Sequence, residues 1–297
     1  MTWIWLVLGT HFSWALSNIA DKYVLGHRIQ NVYIYMVWIK LFGFTSVLVL
    51  PFIEWTIPDA RTVVYVLLAG FFFFLGGFPY AKAVQQEDVT RISIWWSLQP
   101  LWGILLGFFF GQTLLANQGI ALVLLVGATL LAALHAHKKV LVVSRSVLFM
   151  IICTLCFALY AAFLHEAAQH VSFLAAYVWT TLTQAVCGLV CFVLPKVRAL
   201  HRAEAPRVNR RVFGLFWIVF LTANIGIFLN HWALSLQQAS LVFAFEASQV
   251  LFSFLMVFVC YKINPALLQE SFERENVKFK IGAAILMVLG VLVLTLF

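Results

Sequence analysis

Runs of about twenty apolar residues recur from one end of this chain to the other, with mostly short connections between them, and they leave it few folds. A helix needs about 20 mainly apolar residues to cross the hydrocarbon core of a bilayer. The runs lie near 3–25, 32–52, 62–86, 89–110, 117–136, 147–168, 172–194, 212–236, 240–262 and 279–297. Of the 297 residues, 64% are hydrophobic and 10% charged, whereas a soluble domain carries roughly 25% charged residues. A soluble fold of this length must cover its surface with polar groups, so the sequence predicts an all-α membrane protein with ten transmembrane helices. The start, Met1-Thr2-Trp3-Ile4-Trp5, has no basic stretch and no small-residue cleavage site, and reads as a first span and not a removed signal peptide.

The net charge of +8 taken alone would suit a nucleic-acid binder. The positive residues, however, sit in the connections, as membrane topology signals do, so the bilayer is the expected partner and nucleic acid is not. Fifteen of the nineteen Lys and Arg fall in the loops after spans 1, 3, 5, 7 and 9. Only Arg61 lies on the even side, and Lys22, Lys40 and Lys82 lie within or at the edges of spans. The positive-inside rule then places the odd loops in the cytoplasm and both termini outside. Short loops and the lack of a targeting peptide favour a prokaryotic inner (plasma) membrane.

The sequence also repeats itself. Ala81-Lys82-Ala83-Val84-Gln85-Gln86 returns as Ala233-Leu234-Ser235-Leu236-Gln237-Gln238, and Ser97-Leu98-Gln99-Pro100 as Ala247-Ser248-Gln249-Val250. Val37-Trp38 returns as Val178-Trp179, and the glycine pair Gly119 and Gly127 as Gly282 and Gly290. Four matches in one order divide the chain into residues 1–138 and 146–297, joined in one membrane domain. Five spans per unit is odd, so the second unit enters the membrane from the other side. The expected fold is therefore two inverted five-helix repeats, an architecture of many secondary transporters.

A charge inside a span costs several kcal/mol unless it faces a partner or water, so the polar residues within spans are the functional candidates. Glu246 leads in span 9, with Gln249 and Ser253 following on the same face at i+3 and i+7. The reading is a substrate-cation or proton site, against a glutamate merely paired with a lysine. Lys40, near the middle of span 2 and next to Trp38, has the opposite sign and is expected to pair with Glu246 or to share a zwitterionic cargo with it. In span 1, Asn18 and Asp21 share a face with His11 and Trp14, and Lys22 snorkels toward the surface. Span 4 carries Trp95 and Trp96, either as an aromatic wall or as packing anchors. It also carries Gln99, the counterpart of Gln249, and Pro100, where a kink is expected. Asn224, Asn230 and His231 are lesser candidates, and His165-Glu166 reads as interfacial.

The cysteines (Cys153, Cys156, Cys187, Cys191 and Cys260) all lie in apolar runs and read as small buried residues without disulfides. The glycine pairs read as close helix packing. No phosphate loop, metal-ligand cluster or nucleophile–base spacing stands out, so neither metal nor cofactor is expected. His11 and Asp21 are about 15 Å apart along one helix at 1.5 Å per residue, too far for a catalytic pair, so an enzyme is not expected.

The arrangement resembles a known family. Ser97-Leu98-Gln99-Pro100-Leu101-Trp102, then Phe108-Phe109-Phe110-Gly111-Gln112, then Gly119 to Gly127, is similar to the EamA-like branch of the drug/metabolite transporter superfamily. The second half resembles it through Ala233-Leu234-Ser235, Ser248-Gln249-Val250 and Lys280-Ile281-Gly282. The chain departs from the pattern at Gln112, where many members have glutamate, at Val250, which stands opposite Pro100, and in about eleven extra residues before span 10. Described members often place both termini in the cytoplasm, opposite to the charge count.

The resemblance implies a substrate path between the halves, opened alternately to each side, with spans 5 and 10 peripheral. The expected function is a secondary transporter or exporter of a small polar or amphipathic metabolite, with proton coupling through Glu246, acting as a monomer or homodimer. A flippase or exchanger for a phosphorylated lipid carrier or nucleotide sugar is the alternative. It would need a strongly positive cavity, and the charge within spans is mixed. A non-transporting membrane scaffold is the second alternative, and it would show packed, paired charges and no cavity.

Overall fold

The computed structural model describes residues 2–53, 58–109, 116–137, 140–236, 246–268, 270 and 273–296. The first half contains α1 (Thr2–His27), α2 (Val32–Leu41), α3 (Ala60–Gln86), α4 (Val89–Trp95), α5 (Leu98–Phe109) and α6 (Ala116–Ala133). The second contains α7 (Ser146–Ala168), α8 (Phe173–Cys191), α9 (Pro195–Glu204), α10 (Arg210–Leu236), α11 (Glu246–Ile263) and α12 (Arg274–Leu296). Between them, β1 (Leu134–His137) pairs antiparallel with β2 (Val140–Val143), a small exception to the all-α expectation.

Among the described residues six helices are long and apolar enough to cross a membrane: Val32–Phe52, Ala60–Gln86, Ser146–Ala168, Phe173–Cys191, Arg210–Ala233 and Glu275–Val293. Gly119–Ala133 and Ser248–Ile263 are shorter apolar helices. The chain is thus a helical, multi-pass membrane protein. α1 is long enough at 26 residues but carries Asp21 and Lys22.

Short polar side chains set several helix starts. Asn31 accepts from the Tyr33 and Ile34 amides at 3.1 Å, Asp59 from Thr62 at 2.8 Å and Ser172 from Ala175 at 3.3 Å. Each satisfies amides that a first helical turn leaves without partners. The Thr62 bonds also hold the exposed Asp59 carboxyl below its ordinary value.

The fourth run is not one helix. It breaks at Trp96–Ser97, where the Gln99 amide takes the Trp96 carbonyl at 2.9 Å in a tight turn. Proline at position 100 has no N–H for that carbonyl four residues back, so the expected kink appears one turn before the proline. The second run passes from α2 into a 3₁₀ stretch, Phe42–Phe52. The basic segment 195–211 holds α9, which the sequence reading treated as connection. The connection 264–273 forms no α-helix among the described residues. A 3₁₀ turn, Pro265–Leu267, stands there, and Leu268 is buried; Phe272 lies outside the described residues.

Helices pair across the halves: α1 with α10, α3 with α7, α2 with α8, and α6 with α12. Glycine makes the closest approaches. Cβ atoms added at Gly127, Gly282 and Gly290 would meet Leu286, Leu131 and Leu125. The order of those contacts makes α6 and α12 antiparallel, with the packing role expected for these glycines. A Cβ at Gly70 would fall 2.4 Å from Thr183 Cβ and 2.9 Å from the Thr180 carbonyl oxygen. Since that oxygen is backbone, Gly70→Ala is expected to push α3 and α8 apart and cost about 1–3 kcal/mol. Thermal unfolding in micelles checks this, and an unchanged midpoint would mean that the two helices yield without cost.

Candidate transport site

Two polar clusters form where helices of both halves meet. The inner one starts from Asp21 on α1. Tyr35 on α2 donates its hydroxyl to one carboxylate oxygen, and Tyr80 on α3 meets the other at 2.7 Å. Tyr80 also lies 2.6 Å from the amide group of Asn18. A hydroxyl has one hydrogen, so Tyr80 donates to only one of them. Turned to donate, Asn18 Nδ2 gives the chain Asn18 to Tyr80 to Asp21, which satisfies both contacts. The α-helical spacing of Asn18 and Asp21 therefore does bring them to one site, as their shared face implied.

Lys40, on the last turn of α2, interacts electrostatically with Asp21. Its Nζ donates to Gln184 Oε1 on α8 at 2.9 Å and lies 4.2 Å over the Phe73 ring. No carboxylate lies within ion-pair distance of Lys40 among the described residues. Lys40 is deep in the helix bundle, yet part of its surface remains accessible. Those facts agree if that surface borders an internal space. Gly77 and Gly188 pack against its stem: added Cβ atoms would sit 3.7 Å from its Cε and 3.5 Å from its Cβ, and the one at Gly77 would fall 2.4 Å from Met36 Cε.

Aromatic rings extend the site. Phe73 contacts Phe157 at 4.6 Å, Phe157 contacts Trp96 at 5.0 Å, and Trp96 contacts Tyr80 at 5.8 Å between centroids. Trp96 Nε1 has no hydrogen-bond partner. Farther along the bundle the Tyr160 hydroxyl lies 2.9 Å from His231 Nε2, and Tyr177 donates to Asn224 at 3.2 Å. Two lesser candidates, Asn224 and His231, thus join one aromatic layer.

Other candidates serve contacts between elements. Trp95 is fully buried and donates to the Thr129 carbonyl at 3.2 Å. Trp38 donates to His201 Nδ1 on α9 at 3.1 Å. Ser253 receives the Ser93 hydroxyl at 2.7 Å, tying α11 to α4. Gln249 faces His11 on α1, and Gln99 is half-buried. Lys22 does not reach the surface but donates to the carbonyls of Val84 at 3.0 Å and Glu87 at 2.8 Å, at the C-terminal end of α3. The side chain of Glu246, like Gln112, lies outside the described residues, and so does its expected pairing with Lys40; among the described residues Asp21 is the carboxylate whose charge acts on Lys40.

The outer cluster was not anticipated. At the end of the bundle where α3 passes into α4, Lys280 of α12 pairs with Asp88 at 2.8 Å and Glu270 at 2.9 Å. Glu270 accepts the Val89 amide at 2.9 Å and the Thr90 hydroxyl. Arg91 has no exposed surface and lies 3.6 Å from Glu87 and 3.5 Å from Asp88. It also donates to the carbonyls of Ala132 and Leu134 and to Asn276. Burial and the Asp88 carboxylate push Glu270 up from its ordinary value, against the pull of Lys280 and Thr90. With Lys22 alongside, three cations face three anions, and residues from both halves hold one another at this end. Among the described residues no group of His, Cys, Asp or Glu could hold a metal ion.

The fold and this interface define the class: a multi-pass helical membrane protein with polar groups gathered between its halves. Residues 1–134 match the model of the EamA-like transporter family, within the drug/metabolite transporter superfamily, the family that the sequence motifs resemble. That family is one of membrane transporters. No curated protein matches the chain. A solved crystal structure is similar over 97% of this chain and 95% of its own, with a TM-score of 0.59 and 17% identity; that likeness is one of fold alone.

Proposed function

We propose that the chain is a secondary transporter or exporter moving a small polar or amphipathic metabolite by alternating access between two inverted five-helix repeats. The observation that carries this reading is Lys40: a deep, partly accessible lysine of the first half, its ammonium bonded to Gln184 of the second. A static scaffold would gain nothing from a lysine held there with no carboxylate in contact among the described residues.

The pairing of helices supports the repeat. If spans 1–5 exchange with 6–10, the α1–α10 contact maps onto α3–α7, while α2–α8 and α6–α12 map onto themselves. The six-charge cluster then closes the odd-loop end, and access from that end requires its charges to part. The charge count assigns that end to the cytoplasm of a plasma membrane. Proton coupling falls to the carboxylates within helices, Asp21 and Glu246. One lysine beside one aspartate does not make the strongly positive chamber that a phosphorylated lipid carrier or nucleotide sugar requires.

Flux of labelled organic acids, amines and amino acids into proteoliposomes, with and without an imposed pH gradient, tests the proposal. Counterflow of at least one cargo is expected, with Asp21→Asn or Glu246→Gln removing the effect of the gradient. Folded, correctly inserted protein that moves none of these solutes would overturn it.

A further inference from the structure

Among the described residues, Lys40 is chemically incomplete. An ammonium has three donor hydrogens, and the contacts in place are Gln184 Oε1, the Phe73 ring face and the nearby charge of Asp21. Asp21 is committed elsewhere, since its two oxygens meet the hydroxyls of Tyr35 and Tyr80. Beside Lys40 the surroundings turn apolar through Phe73, Phe157 and Trp96, whose indole N–H also lacks an acceptor. A cation with unused donors, bordered by ring faces, fits a molecule with an anionic head and an apolar body.

We propose that Lys40 anchors the carboxylate of a small organic acid whose apolar or aromatic body lies against Phe73, Phe157 and Trp96. This rests on the transport reading and narrows its cargo. One ammonium balances one negative charge, which favours a carboxylate over a phosphate dianion. Asp21 is the built-in competitor, because its negative charge beside Lys40 opposes the incoming anion. Removing each charge should therefore move affinity in opposite directions, which a purely structural role for both residues would not do.

Calorimetric binding to the purified full chain in micelles tests this, with benzoate, phenyl phosphate, benzylamine and benzyl alcohol as probes of one body and four head groups. Benzoate is expected to bind tightest. Asp21→Asn should tighten benzoate several-fold, Lys40→Gln should weaken it at least tenfold, and Lys40→Arg should restore most of the loss. Benzylamine or phenyl phosphate binding as tightly as benzoate, no benzoate binding to the wild-type chain, or Lys40→Gln binding benzoate unchanged would each overturn the proposal. The wild-type series answers the question even if a variant does not fold. Charge-selective, Lys40-dependent binding without flux in proteoliposomes would sink the transport reading and keep the site. Flux that is indifferent to Lys40→Gln would do the reverse.

Discussion

Replacing Arg91 by methionine is expected to lower the unfolding free energy by about 3–5 kcal/mol, the range for breaking a buried ion pair from one side. Arg91 has no exposed surface, stands between Glu87 and Asp88, and carries hydrogen bonds to Ala132 and Leu134 at the end of α6. Its loss leaves two carboxylates in that setting without the guanidinium, and two carbonyls without their donor. Combining Arg91→Met with Glu87→Gln and Asp88→Asn should recover much of the loss, because the uncompensated charge goes too. Lys278→Met serves as the control. Its pair with Glu275 is as close, 2.7 Å, but both side chains are more than half exposed, and such surface pairs contribute about 0–1 kcal/mol. Fluorescence-detected unfolding in micelles distinguishes the two. Equal effects would mean that the outer cluster is solvated and does not lock the halves together.

Asp21→Leu is the second large expected effect. It removes the acceptor of the Tyr35 hydroxyl, while Tyr80 can turn to the Asn18 amide oxygen, and a buried donor left unmatched costs about 1–3 kcal/mol. The lower end is expected, since hydrogen bonds between helices in bilayers average about 0.6 kcal/mol. Adding Tyr35→Phe and Tyr80→Phe should return most of the lost stability, because replacing both sides of a hydrogen bond by apolar groups is nearly neutral. Asp21→Asn keeps a polar group for both tyrosines and should unfold close to the wild type. If the triple variant is no more stable than Asp21→Leu, the tyrosines are not held by this carboxylate.

Much of the helical layout was legible in advance because each span carries its own signal. The expected 147–168 and 172–194 lie close to α7 and α8, and the Asn31, Asp59 and Ser172 caps are local in sequence. Asn18 and Asp21 could be joined because three residues on a helix return to the same face. Tyr35 and Tyr80 were passed over because a tyrosine in an apolar run reads as an interfacial ring, and nothing nearby in sequence marks its hydroxyl partner. Gln184 was missed for the same reason, since it meets Lys40 across 144 positions. Lys22 was assigned to the surface because snorkelling is the local answer for a lysine near a span end, and only the fold brings the carbonyl end of α3 to it.

The outer cluster shows the limit most clearly. Arg91 and Lys280 were counted as loop charges that orient the chain, and Glu270 lay in the connection before span 10. Their meeting joins positions about 180 residues apart. By itself, the sequence determined that this chain spans a membrane many times, where most helices lie, and that its first half is EamA-like. Hydrophobic length, turn chemistry and repeated motifs act over short distances and leave a direct trace in residue order. Which charges meet, which tyrosines hold Asp21, and that Lys40 bonds to the Gln184 amide were decided by tertiary packing. In a bilayer's low dielectric, the strength of a polar group depends on partners that only the folded bundle brings within 3 Å.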